Sequence, residues 1–153
     1  LRVCGMIIWI GIGATALVGV YNLMGGIEFV REMVFAVSGG DGLTTILFMM
    51  FILLILGMFL DWVGVALLTM PIFVPIVTEL GYSPIWFGVV FCMNMQVSFL
   101  SPPFGPAAFY LKTVTPKDIT LGEIFRSLLP FIALQIVALA LLIAFPQLAL
   151  WWQ

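Results

Sequence analysis

The stretch FLSPPFGPAAFYLK, residues 99–112, interrupts an apolar run with three prolines and a glycine. Proline donates no backbone hydrogen bond and obstructs the preceding helical turn. In a regular helix, the prolines at 102, 103 and 106 would leave the carbonyls of Ser98, Phe99 and Pro102 without partners. Hydrocarbon offers no water to replace the missing donors. The stretch therefore predicts a helix that breaks at this point.

The composition indicates where such a helix lies. The chain is 64% hydrophobic and 8% charged, with a mean hydropathy of +1.30. A soluble domain is roughly half apolar and about a quarter charged. We therefore predict an all-α integral membrane protein with several transmembrane helices. A net charge of −2 gives no basis for binding nucleic acid.

Apolar runs of unequal length predict the order of the segments. About 20 residues cross a hydrocarbon core ~30 Å thick. Residues 27–37 mix charged and apolar side chains and are too short to span, which favours an amphipathic helix in the interface. The predicted order is a span at 3–24, the interfacial helix at 27–37, a hairpin at 43–79, a broken span at 85–111, a short helix starting at 115–118 and a last span at 127–145.

The hairpin is predicted from the stretch GMFLD, residues 57–61, where two apolar runs meet without a hydrophilic connector. Non-helical backbone at membrane depth occurs only where protein or a wet cavity covers it. Asp61 favours such a re-entrant hairpin, because an ionisable residue within apolar sequence usually faces a bundle interior or water. The alternative is an ordinary short loop at the aqueous surface.

The few charged residues predict an orientation. In this layout one side of the membrane holds Arg2, Lys112, Lys117 and Arg126, and the other holds Glu28, Arg31, Glu32, Asp41 and Glu79. The positive-inside rule places the first set in the cytoplasm. The hairpin would then start and end on the outer side and point its tip inward.

The broken span gathers hard, neutral oxygen atoms. The carbonyls predicted to be unpaired lie beside the hydroxyls of Ser98 and Ser101. Na⁺ bound by unwound backbone is typical of discontinuous transporter helices. A structural kink is the alternative, because a serine hydroxyl can bond its own helix. The preceding hairpin favours the ion site, since paired interrupted segments indicate the binding site of a transporter.

At these residues the sequence resembles a known family. The run from GMFLD to AAFYLK, residues 57–112, followed by SLLPF and AFPQLALW, is similar to the C-terminal repeat of the large, DctM-type membrane subunit of TRAP transporters. The similarity covers residues 1–153 and is closest to the mannitol or chloroaromatic compound branch. It depends on a Gly-x-x-x-Asp motif at the hairpin tip and a Ser/Thr-Pro-Pro motif in the broken helix.

The resemblance implies one half of an inverted-repeat secondary transporter in the bacterial inner membrane. It implies Na⁺-driven import of an organic acid, with Na⁺ as the coupling ion and no other cofactor. It also implies several partners, which are a small TRAP membrane subunit, an extracytoplasmic solute-binding protein, the N-terminal repeat missing from this chain, and the lipid bilayer.

The resemblance also implies roles for single residues. Gly57, Ser98, Ser101 and Phe104 correspond to positions that line a Na⁺ site of the family. Many members have Gly in place of Ser98 and Thr in place of Ser101. The substrate-pathway candidates are Asp61, Pro102 and Pro103.

Other classes of function are less compatible with the sequence. The chain has no histidine, which excludes a Ser-His or metal-His intramembrane protease. An aspartyl mechanism needs two facing carboxylates, whereas Asp61 alone lies deep in apolar sequence. A non-catalytic membrane scaffold or assembly subunit is the stronger alternative, because half a transporter cannot transport alone.

Overall fold

The computed structural model describes residues 2–102, 105–116 and 118–151. Within these ranges short turns join the helices α1 (Arg2–Leu23), α2 (Gly26–Ser38), α3 (Gly42–Phe59), α4 (Trp62–Glu79), α5 (Pro84–Leu100), α6 (Pro106–Val114), α7 (Leu121–Ala144) and α8 (Gln147–Leu150). In the described part of the chain, α1, α3, α4 and α7 are long and apolar enough to cross a membrane, and α5 is a shorter apolar helix. The predicted all-α membrane class is confirmed.

The chain divides into two compact units. The first contains α1, α2, the start of α3 as far as Ile52, and α4. Within it α1 packs on α4 through glycines, since a Cβ atom added to Gly11 would lie 3.8 Å from Leu67 Cδ1. A Cβ atom added to Gly64 would lie 3.9 Å from Ile10 Cγ2. Small residues at these points allow the two helices to approach closely.

Helix α2 has the amphipathic character predicted for residues 27–37. It begins after Gly25 and ends before Gly39, which have φ angles of 75° and 70° that glycine adopts without steric cost. Val34 is buried, whereas Phe29 and Met33 are exposed. The helix is confirmed, and its position in the membrane interface stays a prediction.

Arg31 joins α2 to the C-terminal end of α4. Its Nε atom donates to Glu79 Oε2 at 2.7 Å, and the guanidinium also pairs with Glu28. The hydrogen bonds with Glu79 and then Glu28 raise the pKa of Arg31 above its usual value. Exposed ion pairs contribute little stability, about 0–1 kcal/mol each. The cluster does place Glu28, Arg31 and Glu79 at one end of this unit, as the charge pattern predicts.

The second unit contains the end of α3 from Leu53 and helices α5 to α8. Trp86 of α5 is buried and donates its indole N–H to the carbonyl of Leu142 in α7, at 2.8 Å. Helices α6 and α7 contact each other through Phe109 and Phe125, whose rings meet edge to face at 6.4 Å. This packing holds the broken span against the last long helix.

Helix α7 begins earlier than the sequence predicts. The span expected at 127–145 is a helix over Leu121–Ala144, and the short helix expected to start at 115–118 is absent from the described residues there. Thr120 Oγ1 accepts from Glu123 N at 3.3 Å, while the Glu123 carboxylate accepts from Thr120 N at 2.7 Å. This capping box starts the helix in polar sequence, where hydropathy gives no signal.

Residues 43–79 form two helices, α3 and α4, of 18 residues each. A helix of that length measures about 27 Å, close to the ~30 Å hydrocarbon core. The lengths therefore suit a hairpin as well as two full spans, and the re-entrant hairpin stays a prediction. Between the helices, Asp61 is exposed and its carboxylate accepts from Val63 N at 3.1 Å, as an N-cap of α4.

Candidate functional site

The predicted break in the fifth helix is confirmed. Helix α5 ends at Leu100, Ser101 and Pro102 are non-helical, and α6 begins at Pro106. Pro106 is well placed there, because the first N–H groups of a helix have no intrahelical acceptor in any case. Two of the expected site residues, Pro103 and Phe104, lie outside the described residues.

One expectation about the free carbonyls is wrong. Ser101 N–H donates to Val97 O at 3.1 Å and also to Ser98 O at 3.2 Å, so the Ser98 carbonyl has a partner. Helix ends often tighten into such shorter-range bonds, which use carbonyls that a regular α-helix would leave unpaired. The Ser101 carbonyl accepts from Gly105 N at 2.9 Å. The free carbonyls of Phe99 and Pro102 stay predictions.

The two serine hydroxyls bond to backbone carbonyls. Ser98 Oγ lies 3.1 Å from both Asn94 O and Leu54 O, and its side chain is fully buried. Ser101 Oγ donates to Val97 O at 2.7 Å. A hydroxyl that donates its one proton keeps two lone pairs that can face a cation. The same bonds would equally satisfy a structural kink, so the hydroxyl geometry is compatible with both alternatives.

Gly57 and Ser98, which the resemblance assigns to one Na⁺ site, lie against each other. A Cβ atom added to Gly57 would lie 2.9 Å from Ser98 Cβ, 3.0 Å from Ser98 Oγ and 3.1 Å from Met95 Cε. These distances leave no room for a side chain at residue 57. The absence of a side chain at Gly57 therefore accommodates the serine on α5.

Gly105 is a further constrained residue of the break, and sequence reasoning missed it. It is buried, and a Cβ atom added there would lie 2.9 Å from Ser101 O and 3.0 Å from Leu100 O. Both neighbours are backbone atoms, which cannot rotate away as a side chain can. Its position between Pro103 and Pro106 in a predicted break was the available signal, since glycine within a break indicates a close approach of backbone.

The other candidates that the structure describes, Pro102 and Asp61, lie next to helix ends. Pro102 is exposed in the turn that follows α5. Asp61 belongs to the first unit and caps α4 there. Among the residues that the structure describes, no group of three His, Cys, Asp or Glu side chains could hold a metal ion.

Several apolar helices together with one discontinuous helix define a multi-pass α-helical membrane protein. Residues 1–148 match the family model of the DctM component of the tripartite ATP-independent periplasmic transporters, and the chain belongs to this family. It is thus a multi-pass protein of the inner membrane, and its family is one of transporters and not of enzymes. The predicted family is confirmed, while the predicted branch stays a prediction.

Curated relatives agree with this assignment. The chain is 32% identical over 114 residues to the sialic acid TRAP transporter permease protein SiaT of Haemophilus influenzae, covering 74% of this chain and 18% of that protein. It is 32% identical over 116 residues to the large permease protein SiaM of Vibrio cholerae, covering 76% and 27%. It is 34% identical over 99 residues to the C4-dicarboxylate large permease protein DctM of Pseudomonas aeruginosa, covering 65% and 23%.

The chain therefore spans about a quarter or less of the length of these relatives. No solved structure matches it.

Proposed function

We propose that this chain is the C-terminal part of a Na⁺-driven TRAP permease that imports an organic acid. The observation that carries the proposal is the family match over residues 1–148. Two of the similar proteins are named for sialic acid and for C4-dicarboxylates, which are both carboxylic acids. The proposed partners are a small membrane subunit and an external solute-binding protein, in keeping with the tripartite family name.

The ion site of this proposal lies where α5 breaks. Ser98 and Ser101 supply neutral hydroxyl oxygens, and both hydroxyls already donate their protons to carbonyls. Gly57 lets the backbone of α3 approach Ser98. Phe104 belongs to the site by resemblance. Transported Na⁺ would be bound by oxygens that carry no formal charge, which permits release as well as binding.

The solute pathway of this proposal includes Asp61, Pro102 and Pro103. Exposed Pro102 directly follows Ser101, so a solute at this turn would lie beside the proposed ion. Coupling between ion and solute needs such proximity or a shared moving element. From the charge pattern, the proposed layout has the hairpin tip pointing inward and the end of α6 that carries Lys112 in the cytoplasm.

The test replaces a single hydroxyl. In the complete transporter, Ser101→Ala should raise the Na⁺ concentration needed for half-maximal uptake, because one neutral ligand is lost. A lost polar partner of this kind costs about 1–3 kcal/mol, which corresponds to roughly a fivefold or larger shift. The measurement is uptake of radiolabelled solute against Na⁺ concentration, with solute binding by the external protein unchanged.

The matched control is Thr113→Ala. Thr113 Oγ1 donates to Tyr110 O at 2.7 Å within α6, so this change removes the same kind of helix-internal bond beyond the break. It should leave the Na⁺ dependence as it is. An unchanged Na⁺ dependence in Ser101→Ala at normal expression would show that the hydroxyl is not a ligand and that the break is a structural kink.

A further inference from the structure

Helix α7 contacts the protein on both sides of the break. It is continuous from Leu121 to Ala144, whereas the helix beside it is interrupted between α5 and α6. The contacts lie within the second unit and run antiparallel, in the order Trp86 with Leu142, Gln96 with Gln135, Phe109 with Phe125, and Lys112 with Ile119 just before α7. One continuous helix therefore holds both half-helices.

The contact at the start of α5 uses a carbonyl that a proline leaves free. In a regular helix the Leu142 carbonyl would accept from the N–H of residue 146, which is Pro146 and has none. The indole N–H of Trp86 donates to this carbonyl at 2.8 Å, and the Trp86 side chain is buried. Trp86 thus supplies the donor that Pro146 withholds, and this bond fixes the start of α5 to the end of α7.

The contact at the end of α6 also uses a carbonyl outside the helix bonds. Ile119 precedes Thr120, the N-cap of α7, and the N–H of Glu123 donates to Thr120 Oγ1 in the capping box. The Lys112 ammonium donates to the Ile119 carbonyl. A charged donor makes a stronger hydrogen bond than a neutral one. Lys112 therefore fixes the end of α6 to the start of α7.

We propose that Trp86 and Lys112 are positioning residues for the break. They bond the outer ends of the two half-helices to the two ends of one continuous helix. That helix then keeps the end of α5 and the start of α6 at one separation, with Ser101 between them. The inference rests on the permease function proposed above, because it gives the break a role in transport, but not on which oxygens bind Na⁺.

Pro130 provides the competing arrangement. It lies in α7 between the residues that contact α6 and those that contact α5, and it removes the donor to the Arg126 carbonyl. Prolines are a common cause of helix kinks. If α7 bent at Pro130 during transport, the half-helices would move relative to each other. The unbroken course of α7 through Pro130 favours the fixed separation.

The first test measures the separation across the break in the assembled permease, with its other cysteines replaced by serine. Spin labels are attached to Cys92 of α5 and to the exposed position of α6 changed by Tyr110→Cys. Pulsed electron paramagnetic resonance should give one narrow distance distribution, the same with and without Na⁺. Trp86→Phe, which keeps a ring but loses the N–H, should broaden it. Lys112→Met should do the same, and it serves alone if Trp86→Phe does not assemble.

Two control variants should keep the distribution narrow. Lys112→Arg retains a charged donor, and Trp9→Phe changes an exposed tryptophan of α1 in the first unit. A distribution that stays narrow in Trp86→Phe and in Lys112→Met would overturn the proposal. A wild-type distance that shifts when Na⁺ is added would overturn it too, because the half-helices would then move against each other.

The second test asks whether the fixed separation matters for transport. At normal expression, Trp86→Phe and Lys112→Met should raise the Na⁺ concentration for half-maximal uptake about two- to tenfold, the scale of one hydrogen bond. Lys112→Arg should restore the original value. Broadened distances with unchanged uptake would reduce both residues to structural contacts and overturn the positioning role.

Pro130→Ala separates the two arrangements. It restores a donor within a helix that is already continuous, so the distance and the uptake should stay unchanged. A loss of uptake in this variant would show that α7 must bend, against the proposal. If Ser101→Ala leaves the Na⁺ dependence untouched while Trp86→Phe and Lys112→Met act as expected, only the proposed Na⁺ site fails.

Discussion

Helices α4 and α5 respond differently to proline. Helix α4 contains Pro71 and Pro75 and continues without interruption from Trp62 to Glu79. Helix α5 ends at Leu100, just before Pro102 and Pro103. A proline also disfavours the helical conformation of the residue before it. The adjacent prolines after α5 restrict two consecutive residues. The prolines in α4 are four residues apart and leave a full turn between them. The spacing of the prolines therefore distinguishes the broken helix from the continuous one.

Hydroxyl bonds to the preceding turn do not distinguish the two helices. In α4, Thr69 Oγ1 donates to Val65 O at 2.7 Å and Thr78 Oγ1 donates to Val74 O at 2.9 Å. Ser101 makes the same kind of bond at the end of α5. A back-bonded hydroxyl is therefore no evidence for an ion site by itself. The features found at the break are the end of the helix and the two close approaches at Gly57 and Gly105.

The largest effect is expected for Gly105→Ala. The new methyl group would lie 2.9 Å from Ser101 O and 3.0 Å from Leu100 O, so backbone must move to admit it. Overpacking of this kind costs about 1–3 kcal/mol. We expect a lower Tm and a loss of uptake of tenfold or more, which corresponds to about 1.4 kcal/mol. Thermal unfolding and solute uptake measure the two effects.

Gly122→Ala is the control for this change. Gly122 lies in the first turn of α7, and a Cβ atom added there meets nothing within 4 Å. The substitution should leave uptake unchanged and slightly stabilise the helix, because alanine is the better helix former. If Gly105→Ala and Gly122→Ala changed solute uptake equally, the close approach at Gly105 would have no functional role.

An effect nearly as large is expected for Gly57→Ala. Ser98 Oγ and Met95 Cε can turn aside, but Ser98 Cβ, at 2.9 Å, is fixed to the backbone of α5. We expect a loss of stability of about 1–3 kcal/mol, measured by thermal unfolding. Adding Ser98→Gly should restore part of this loss, since it removes the atoms that the new methyl group meets. The coupling between the two changes should be about 0.5–3 kcal/mol.

Gly64→Ala provides the comparison in α4, where the nearest atom would lie at an ordinary 3.9 Å. The free energy of unfolding of the Gly64→Ala variant should not depend on whether residue 98 is serine or glycine. If Ser98→Gly fails to improve Gly57→Ala, the contact between these residues does not limit the approach of α3 to α5.

The smallest effect is expected for Pro71→Ala in α4. Alanine restores a backbone N–H that can donate to the Leu67 carbonyl, in a helix that is already continuous. Uptake should stay within about twofold of the original, equivalent to about 0.4 kcal/mol. The parallel change Pro102→Ala should reduce uptake more. A loss in Pro71→Ala as large as that in Gly105→Ala would show that the α4 prolines matter for transport too.

The sequence was sufficient to predict the broken helix, because the missing proline donors can be counted directly. Residue spacing does not predict the contact between Gly57 and Ser98. The resemblance assigns both residues to one Na⁺ site, which stays a prediction. Their sequence separation is large, and hydropathy alone does not determine which residues of two apolar helices meet. The membrane class followed from composition alone.

Three other features depend on local backbone geometry that hydropathy and regular helix bonding do not describe. Regular i→i−4 bonding would leave the Ser98 carbonyl free, but the end of α5 tightens and this carbonyl accepts from Ser101 N. Hydropathy predicts too late a start for α7, because it detects apolar residues and not caps. The Thr120 to Glu123 spacing of a capping box was a usable signal for it. Gly105 was overlooked among the prolines that surround it.

The length of α7 has a consequence for how this chain responds to its membrane. With 24 residues α7 measures about 36 Å, which exceeds a ~30 Å hydrocarbon core. Glu123 and Arg126 lie near its first turns, so the surplus length belongs at that end, among the lipid headgroups. The part of α7 that follows Arg126 measures about 27 Å, close to the thickness of the core. Helix α7 can therefore cross the core without hydrophobic mismatch, while its charged first turns reach beyond the core.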